Sequence, residues 1–322
     1  MTTTAYRETA GRPATAGPRG GPATRSVTRS VTRSVTRTRS AWVFLGPSLL
    51  GLAIFTVFPT AMALGMSLFD WPVFGDRTFI GLQNYQHLFD DAVFQHAILN
   101  TCLFVVLYLP LNLLVSMGLA IWVSPRIRGR GFYRVLFFIP VMTPMVANAM
   151  VWRLLFQPGG LLDSASQSVF GVPTPNFLAS SGWAMPAVVV MSVWQGFGYN
   201  FLIFSAALDQ VPQAQLEAAD IDGASPLQRF FHITLPTITP SIFFATTMTL
   251  ISSFQVFSQP YILTQGGPGD STETLVMYVY NHGWQFLDMG IAAAAGWVLF
   301  VIIMGITAVQ FAGQRKWVGY EV

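Results

Sequence analysis

The chain has 322 residues, of which 52% are hydrophobic and only 10% are charged, and its formal net charge is +3. Soluble domains carry about a quarter charged residues, so this composition indicates an integral membrane protein with no nucleic-acid partner. The single cysteine, Cys102, falls inside an apolar run, which excludes an intrachain disulfide and argues against redox chemistry.

Residues 1–40 are rich in Arg, Thr, Ser, Gly and Pro and contain the four-residue repeat RSVTRSVTRSVT. This composition offers almost nothing to bury, so it predicts a disordered cytoplasmic tail. Arg at every fourth position could instead line one helix face against anionic lipid. A cleavable signal peptide is disfavoured because the basic region is long and the apolar run after it is of membrane-spanning length.

Six apolar runs are long enough to cross a bilayer, whose core of about 30 Å requires roughly 20 residues of helix. The runs are apolar on every face, unlike the alternating strands of a membrane β-barrel. The sequence therefore predicts an all-α membrane protein with six transmembrane helices. They lie at about residues 42–67, 97–122, 133–156, 184–208, 239–263 and 289–312.

The basic residues cluster at the two ends and in the second and fourth loops. Eight Arg precede the first span, and seven further bases lie in these regions: Arg126, Arg128, Arg130, Arg134, Arg229, Arg315 and Lys316. The remaining three loops hold Arg77, with Arg153 near a helix end, against eight acids: Asp70, Asp76, Asp90, Asp91, Asp163, Asp270, Glu273 and Asp288. The positive-inside rule therefore places both termini in the cytoplasm, in agreement with an even number of spans.

The fourth loop, residues 209–237, is too charged to lie in hydrocarbon and is predicted to form a helix, a turn and a second helix. Asp209 is expected to cap the first helix, and Gly223 suits the left-handed residue that ends it. Ser225 is expected to cap the second helix, which Pro236 should stop. This arrangement predicts a docking element held against the membrane domain.

Several chemistries lack the residues they need. A phosphate-binding loop requires a Lys after its glycines, and the only lysine, Lys316, follows the last span, so this chain alone is not expected to hydrolyse ATP. The four histidines are scattered, so no metal site is expected. The spans also lack the buried acids of a proton relay, which argues against proton coupling.

Neutral polar and aromatic residues recur inside three of the spans. Amides and hydroxyls suit the hydroxyl groups of a sugar, and aromatic faces suit its rings, so these residues are candidates for a substrate path. The alternative is that they join helices to each other. The candidates are Asn148 and Trp152 in the third span, Ser192, Gln195 and Tyr199 in the fourth, and Thr249, Ser252, Gln255 and Gln259 in the fifth.

The motifs EAADIDGA and ITLP in the fourth loop, with GLQNY, RGFYRVLFFIP and LTQGGPGDST elsewhere, resemble a known family. They are similar to the inner-membrane permease subunits of binding-protein-dependent ABC importers, in the carbohydrate-uptake group that includes the maltose permeases. The first of that group's two permease types fits best. The resemblance implies a type I importer fold over residues 41–315, flanked by tails at 1–40 and 316–322.

The resemblance also implies a role for the fourth loop as the coupling helix that inserts into a cleft on an ATPase subunit. Glu217 would meet a basic or donor group there, and Gly223 would let the turn fit the cleft. The residues carried over are Glu217, Ala218, Ala219, Asp222, Gly223, Ala224, Leu235 and Pro236.

The implied assembly contains a second, similar permease, an ATPase dimer and an extracytoplasmic solute-binding protein in a bacterial inner membrane. ATP and Mg would bind to the ATPase, and no cofactor would bind to this chain. The substrate would be a mono- or oligosaccharide, with glycerol phosphate or another polyol derivative as the alternative. An ATPase-independent facilitator and a membrane scaffold are the competing classes; a facilitator needs no EAADIDGA motif, and a scaffold needs no polar stripes.

Overall fold

The computed structural model describes residues 42, 44–123 and 127–314, most of which are helical. The tail at 1–40, Arg126 and residues 315–322 lie outside the described residues, so the predictions about both tails stay predictions. The chain divides into two compact units, Met1–Pro59 and Thr60–Val322. The described part of the first unit is helical, with a π-helical turn at Ala53–Val57.

The predicted spans correspond to helices in the structure. By length and apolar composition, five helices can cross a membrane: α1 (Phe44–Met66), α3 (Ala92–Trp122), α7 (Ser181–Leu208), α9 (Pro226–Phe254) and α12 (Met289–Gln314). A bent pair, made of α4 (Arg130–Met142) and the segment Met145–Phe170, gives a sixth span if the two parts are counted as one. That segment contains α5 (Met145–Phe156) and α6 (Leu161–Phe170).

The third span is broken, whereas the sequence predicted one helix over 133–156. Its two parts meet at an angle of 90°. The break falls at Thr143, whose extended backbone (φ −77°, ψ 141°) is the conformation favoured before a proline, here Pro144. The chain therefore changes direction inside the membrane domain.

The fifth span also differs from its prediction of 239–263. Helix α9 begins at Pro226 and ends at Phe254, and a separate short helix, α10 (Ser258–Leu263), follows. Pro236 does not stop the helix, because a π-helical turn at Phe230–Thr234 precedes it. Such a turn rearranges the backbone hydrogen bonds that a proline would otherwise disrupt.

Helix α7 forms the centre of the second unit. It packs against α3, α4 and α9, and 67% of its apolar window is buried. Gly198 permits the approach of α4, since a Cβ there would meet the backbone carbonyl oxygen of Phe137. One buried cluster joins the three contacts: Ala120, Val123, Phe197, Phe201, Phe204 and Ala245.

A smaller layer forms from the loops that join the first to the second span and the fifth to the sixth. It contains the antiparallel strands β1 (Phe69–Asp70) and β2 (Thr78–Phe79) and the short helix α2 (Gln83–Asp90). Helix α8 (Gln213–Ile221) is not part of this layer and lies between α7 and α9. Helix α11 (Leu275–Tyr280) and a π-helical turn complete the layer. Its core includes Leu88, Phe94, Leu275, Tyr278 and Ala294.

Candidate functional site

The first candidate site is the charged segment 209–237, which connects α7 to α9. Helix α8 begins after Pro212, so Asp209 does not cap it as predicted. Asp209 instead follows α7, where its carboxylate accepts hydrogen bonds from Arg130 Nη1 at 3.0 Å and Arg134 Nη2 at 2.7 Å. Two guanidinium groups are stronger partners than a backbone N–H, which explains the difference.

These contacts also set the charge state of Asp209. The hydrogen bond from Arg134 is the largest influence, and it holds the pKa of the Asp209 carboxyl below its usual value although partial burial opposes it. The carboxylate is therefore ionised at neutral pH. It joins the start of α4 to the end of α7 at the first residue of the charged segment.

Gly223 ends α8 in the manner that the sequence predicted. Its φ is +74°, in the left-handed region, and the next amide, Ala224 N, donates to Ala219 O at 2.9 Å. Gly223 N donates to Asp220 O at 3.2 Å, which completes the hydrogen-bond pattern of a Schellman motif. The turn is thus defined by local backbone bonds.

Ser225 starts the next helix, and its predicted capping role is confirmed. Its Oγ accepts a hydrogen bond from Gln228 N at 3.3 Å, and its own N–H donates to Gln228 Oε1 at 2.8 Å. This reciprocal pair is a capping box. An ion pair between Arg229 and Asp220 joins the two helices on either side of the turn.

The structure brings six of the eight predicted coupling residues together around this turn and places the other two farther along. Glu217, Ala218, Asp222 and Gly223 are exposed, while Ala219 and Ala224 are half-buried. Glu217 Oε1 accepts from Gln213 Nε2 at 3.2 Å, a weak contact that leaves most of the carboxylate free. Leu235 and Pro236 lie in α9 beyond the π-helical turn.

The second candidate site consists of the nine polar and aromatic residues proposed for a substrate path. Asn148 and Gln195 are buried and bound to each other, with 2.5 Å between Asn148 Nδ2 and Gln195 Oε1. Gln195 Nε2 also donates to the carbonyl oxygens of Pro140 at 3.0 Å and Thr143 at 3.2 Å. The pair therefore satisfies carbonyl groups that the break in the third span releases.

Thr249 and Ser192 are buried as well. Thr249 Oγ1 accepts from Asn200 Nδ2 at 2.8 Å, and the same amide donates to Asn112 Oδ1 at 2.7 Å. Ser192 Oγ donates to Val188 O within its own helix. Asn112 and Asn200 were missed from the sequence, although any amide inside an apolar run is a signal of interhelical bonding.

The remaining candidates are accessible. Tyr199, Ser252 and Gln255 are exposed, and Gln259 is half-buried. Neither of these two glutamine amides hydrogen-bonds to another residue in the described ranges. Trp152 is half-buried, with its ring 5.7 Å from that of Trp194.

The expected single stripe on the fifth span is not continuous. Helix α9 ends at Phe254, so Gln255 is its C-terminal cap and Gln259 belongs to α10. Thr249 faces the interior, whereas Ser252 and Gln255 face outwards. The prediction of a single stripe was wrong because it extended one helical spacing past the end of α9. Periodicity holds only within one helix.

A buried carboxyl group lies in the loop between α10 and α11. Glu273 is 5% exposed, and its Oε1 accepts from Asn281 Nδ2 at 2.8 Å. Burial raises the pKa of Glu273 to about 7, with a further contribution from the charge of Asp270, while the Asn281 bond opposes the shift. Gly266 leaves room for the second carboxyl oxygen, since a Cβ there would meet it.

Comparison with known proteins supports the resemblance noted in the motifs. Residues 112–316 match the family described as "Binding-protein-dependent transport system inner membrane component". The chain is 34% identical over 292 residues to the probable ABC transporter permease protein YesP of Bacillus subtilis (strain 168), with 88% of this chain and 92% of YesP covered. It is 37% identical over 288 residues to the sn-glycerol-3-phosphate transport system permease protein UgpA of Escherichia coli (strain UTI89 / UPEC), with 88% and 97% covered.

A solved structure has the same fold. A chain of a bacterial ABC transporter involved in the import of the acidic polysaccharide alginate superposes with a TM-score of 0.78 at 23% identity, over 89% of this chain and 98% of that one. This superposition confirms the predicted type I importer permease fold. On the family match, the relatives and this fold, the chain belongs to the inner-membrane permease components of binding-protein-dependent ABC importers.

Proposed function

We propose that this chain forms, with a second similar permease, the path by which a neutral mono- or oligosaccharide enters the cell. An extracytoplasmic binding protein delivers the sugar, and a separate ATPase dimer binds ATP and Mg and hydrolyses the ATP. The observation that carries the proposal is the exposed turn at 217–224, braced by local bonds and an ion pair between two apolar spans. The chain itself is a non-catalytic subunit of a multi-pass inner-membrane complex.

The coupling step follows from the shape and charge of the 209–237 segment. Its tip presents the Glu217 carboxylate and a compact turn of small residues, which suits a cleft with a basic or donor group. Its base is fixed to α4 and α7 through Asp209. A push on the tip is thereby transmitted to the spans, since the linking elements are short and hydrogen-bonded. This assignment places the segment and both termini in the cytoplasm.

The neutral sugar is proposed from the accessible path candidates. Tyr199, Gln255 and Gln259 supply an aromatic face and neutral donors and acceptors, which match sugar hydroxyl groups and rings. Glycerol phosphate is the second candidate, favoured by the glycerol-phosphate relatives. Arg153 is exposed near the end of α5. Among the described residues of the third, fourth and fifth spans, it is the one cation on the side away from the charged segment. A phosphate site would favour Arg or Lys at closer quarters.

The coupling assignment is tested by Glu217→Lys in the full transporter. Reversing the charge at the tip should reduce both ATPase-subunit retention and substrate-stimulated ATP hydrolysis by roughly tenfold, as expected for a charged contact at an interface. Membrane insertion should be unchanged, because Glu217 is exposed and belongs to none of the buried clusters. Gln215→Lys is the matched control, since it adds a positive charge to an exposed position of the same helix. Normal retention and uptake with Glu217→Lys would remove the assignment.

A further inference from the structure

A cavity of about 610 Å³ lies beneath the charged segment. It forms where the ends of α3 and α7 approach the start of α4, helix α8 and the first turns of α9. Apolar side chains supply much of its wall, among them Ile121, Leu208 and Phe230. Arg130, Asp209 and Arg229 supply its charged groups. The volume falls in the range of about 300–1,000 Å³ that is usual for small-ligand sites.

The charges around the cavity do not balance. Arg130 and Arg134 share the single carboxylate of Asp209, which leaves one positive charge in excess. Arg229 pairs with Asp220 through Nη1, but its Nε is buried and has no hydrogen-bond partner among the described residues. A guanidinium group has five N–H donors, so Arg229 retains capacity for an anion.

The position of the cavity indicates what kind of anion it accepts. It lies at the ends of two spanning helices, where apolar residues give way to arginines, and this is the level of lipid headgroups. A free phosphate would bind the arginines but leave the apolar wall in contact with water. A phospholipid uses both, because its phosphate binds the arginines and its glycerol and acyl carbons contact the apolar wall.

We infer that this cavity binds an anionic phospholipid of the cytoplasmic leaflet, with Arg130 and Arg229 as the phosphate contacts. The lipid would join α4 to the helix that follows the turn and so brace the charged segment against the spans. The inference goes beyond the proposed function, since it concerns neither the transported sugar nor the ATPase contact. Only its choice of leaflet relies on the orientation proposed above.

The test measures lipid retention by the purified full-length chain in detergent containing equal phosphatidylglycerol and phosphatidylcholine. Native mass spectrometry counts the lipids that stay bound. We expect the unsubstituted chain to retain phosphatidylglycerol in preference, and Arg229→Gln or Arg130→Gln to weaken that retention roughly fivefold, the effect of one Arg near an anionic lipid. Arg128→Gln is the matched control, because it removes the same charge from an exposed position outside the cavity wall.

A second variant avoids a change of charge. Val211 lies on the cavity wall, and Val211→Trp fills the space while both arginines remain. It should reduce phosphatidylglycerol retention as much as Arg229→Gln does, and circular dichroism would verify that the helices persist. Equal loss in Arg128→Gln and Arg229→Gln would overturn the inference, because it would show attraction to diffuse surface charge. Unchanged retention in Val211→Trp would also overturn it, as would displacement of the lipid by millimolar inorganic phosphate.

The lipid site and the coupling role can fail separately. Glu217→Lys should leave phosphatidylglycerol retention unchanged, because Glu217 is not on the cavity wall. Loss of the lipid in that variant, with the helices intact, would show that the lipid binds elsewhere on the charged segment and would overturn the site. Loss of ATPase retention with phosphatidylglycerol retention unchanged would support both the coupling role and the lipid site.

Discussion

Amide side chains in the spans divide into two groups according to their partners. Asn148, Gln195 and Asn200 are buried, and each hydrogen-bonds to a residue on another helix. An unpaired buried amide costs about 1–3 kcal/mol, so these contacts are needed for folding even where their net gain is small. Gln255 and Gln259 lack such partners within the described residues. The structure therefore favours helix joining for the first group and leaves the second available to a substrate.

Glu273 is a residue whose charge is unfavourable in the fold. Its pKa is raised from 4.5 to about 7 by burial and by Asp270. An acid with a raised pKa stabilises the fold while it is protonated. That contribution is complete below the pKa of the unfolded chain, about 4.5, and is lost as the pH rises through about 7. The loop between α10 and α11 is thus expected to loosen above neutral pH.

We expect Glu273→Gln to remove this dependence. Gln keeps the shape and the oxygen that Asn281 binds but cannot ionise. The melting temperature of the variant should change less between about pH 5 and 8 than that of the unsubstituted chain, and should exceed it by a few degrees at the upper end. Thermal unfolding across pH measures this. Asp270→Asn is the control, since it removes the neighbouring charge and should shift the midpoint only partly. An unchanged pH slope in Glu273→Gln would contradict the assignment.

At the scale of elements, two breaks in helices shape the membrane domain. The third span turns by 90° at Thr143, and the fifth ends at Phe254 before α10 begins. Each break leaves backbone carbonyl groups without helical partners, which is costly in lipid unless protein supplies donors. Gln195 does so for the third span. Such interruptions are tolerated where the backbone faces protein or a water-filled path.

Substitutions at Gly223 can show why the turn has a glycine at this position. A Cβ at this position meets nothing within 4 Å in this chain, so only φ, at +74°, disfavours a side chain. A β-branched residue there costs about 1–2 kcal/mol, whereas Asn adopts this conformation readily. We expect Gly223→Val to reduce ATPase-subunit retention several-fold and Gly223→Asn to preserve most of it, as measured by co-purification.

The comparison of Asn and Val separates conformation from space. If both variants lose the ATPase subunit equally, the glycine is required by the partner's cleft and the conformational explanation is wrong. Gly129 is a matched control position, because it also has a positive φ, of +81°, with nothing near its Cβ, but it lies outside the charged segment. Gly129→Val should leave ATPase retention near normal.

At the scale of the whole molecule, burial is uneven among the spans. Helix α7 has 67% of its apolar window buried, while α3, α9 and α12 have 22–28%. Apolar residues of the spans can face lipid without cost, but the exposed polar groups of Tyr199 on α7 and of Ser252 and Gln255 at the end of α9 cannot. Their exposure is consistent with the proposed second permease and an aqueous path between the two subunits.

The accessible amides provide the test at this scale. Gln255→Ala and Gln259→Ala should each lower sugar uptake by the reconstituted transporter about fivefold, the worth of one hydrogen bond of about 1 kcal/mol. Thermal stability should change by less than about 0.5 kcal/mol, because neither amide is buried or hydrogen-bonded among the described residues. Gln195→Ala is the matched control. Removal of this buried amide should lower the free energy of unfolding by about 1–2 kcal/mol, and uptake should fall because the protein is less stable. Normal uptake in both the Gln255→Ala and the Gln259→Ala variant would show that these amides are structural.

Local chemistry made much of this protein predictable from sequence. The apolar runs located five helices of spanning length and the bent pair, because length and composition alone decide what can cross a bilayer. Gly223 and Ser225 indicated the turn and the cap, since each acts through backbone groups within six residues. The EAADIDGA motif indicated the family, which the comparisons confirmed.

Tertiary structure decided the features that depend on distant partners. Asp209 is a predicted helix cap that instead binds Arg130 and Arg134, more than 70 residues away in the chain. Asn200 meets Asn112 across 88 residues, and Gln195 meets Asn148 across 47. Periodicity assigns a side chain to a face of its own helix but does not say which helix covers that face. Only the packing of α3, α4 and α9 around α7 determined which polar groups are paired and which remain accessible.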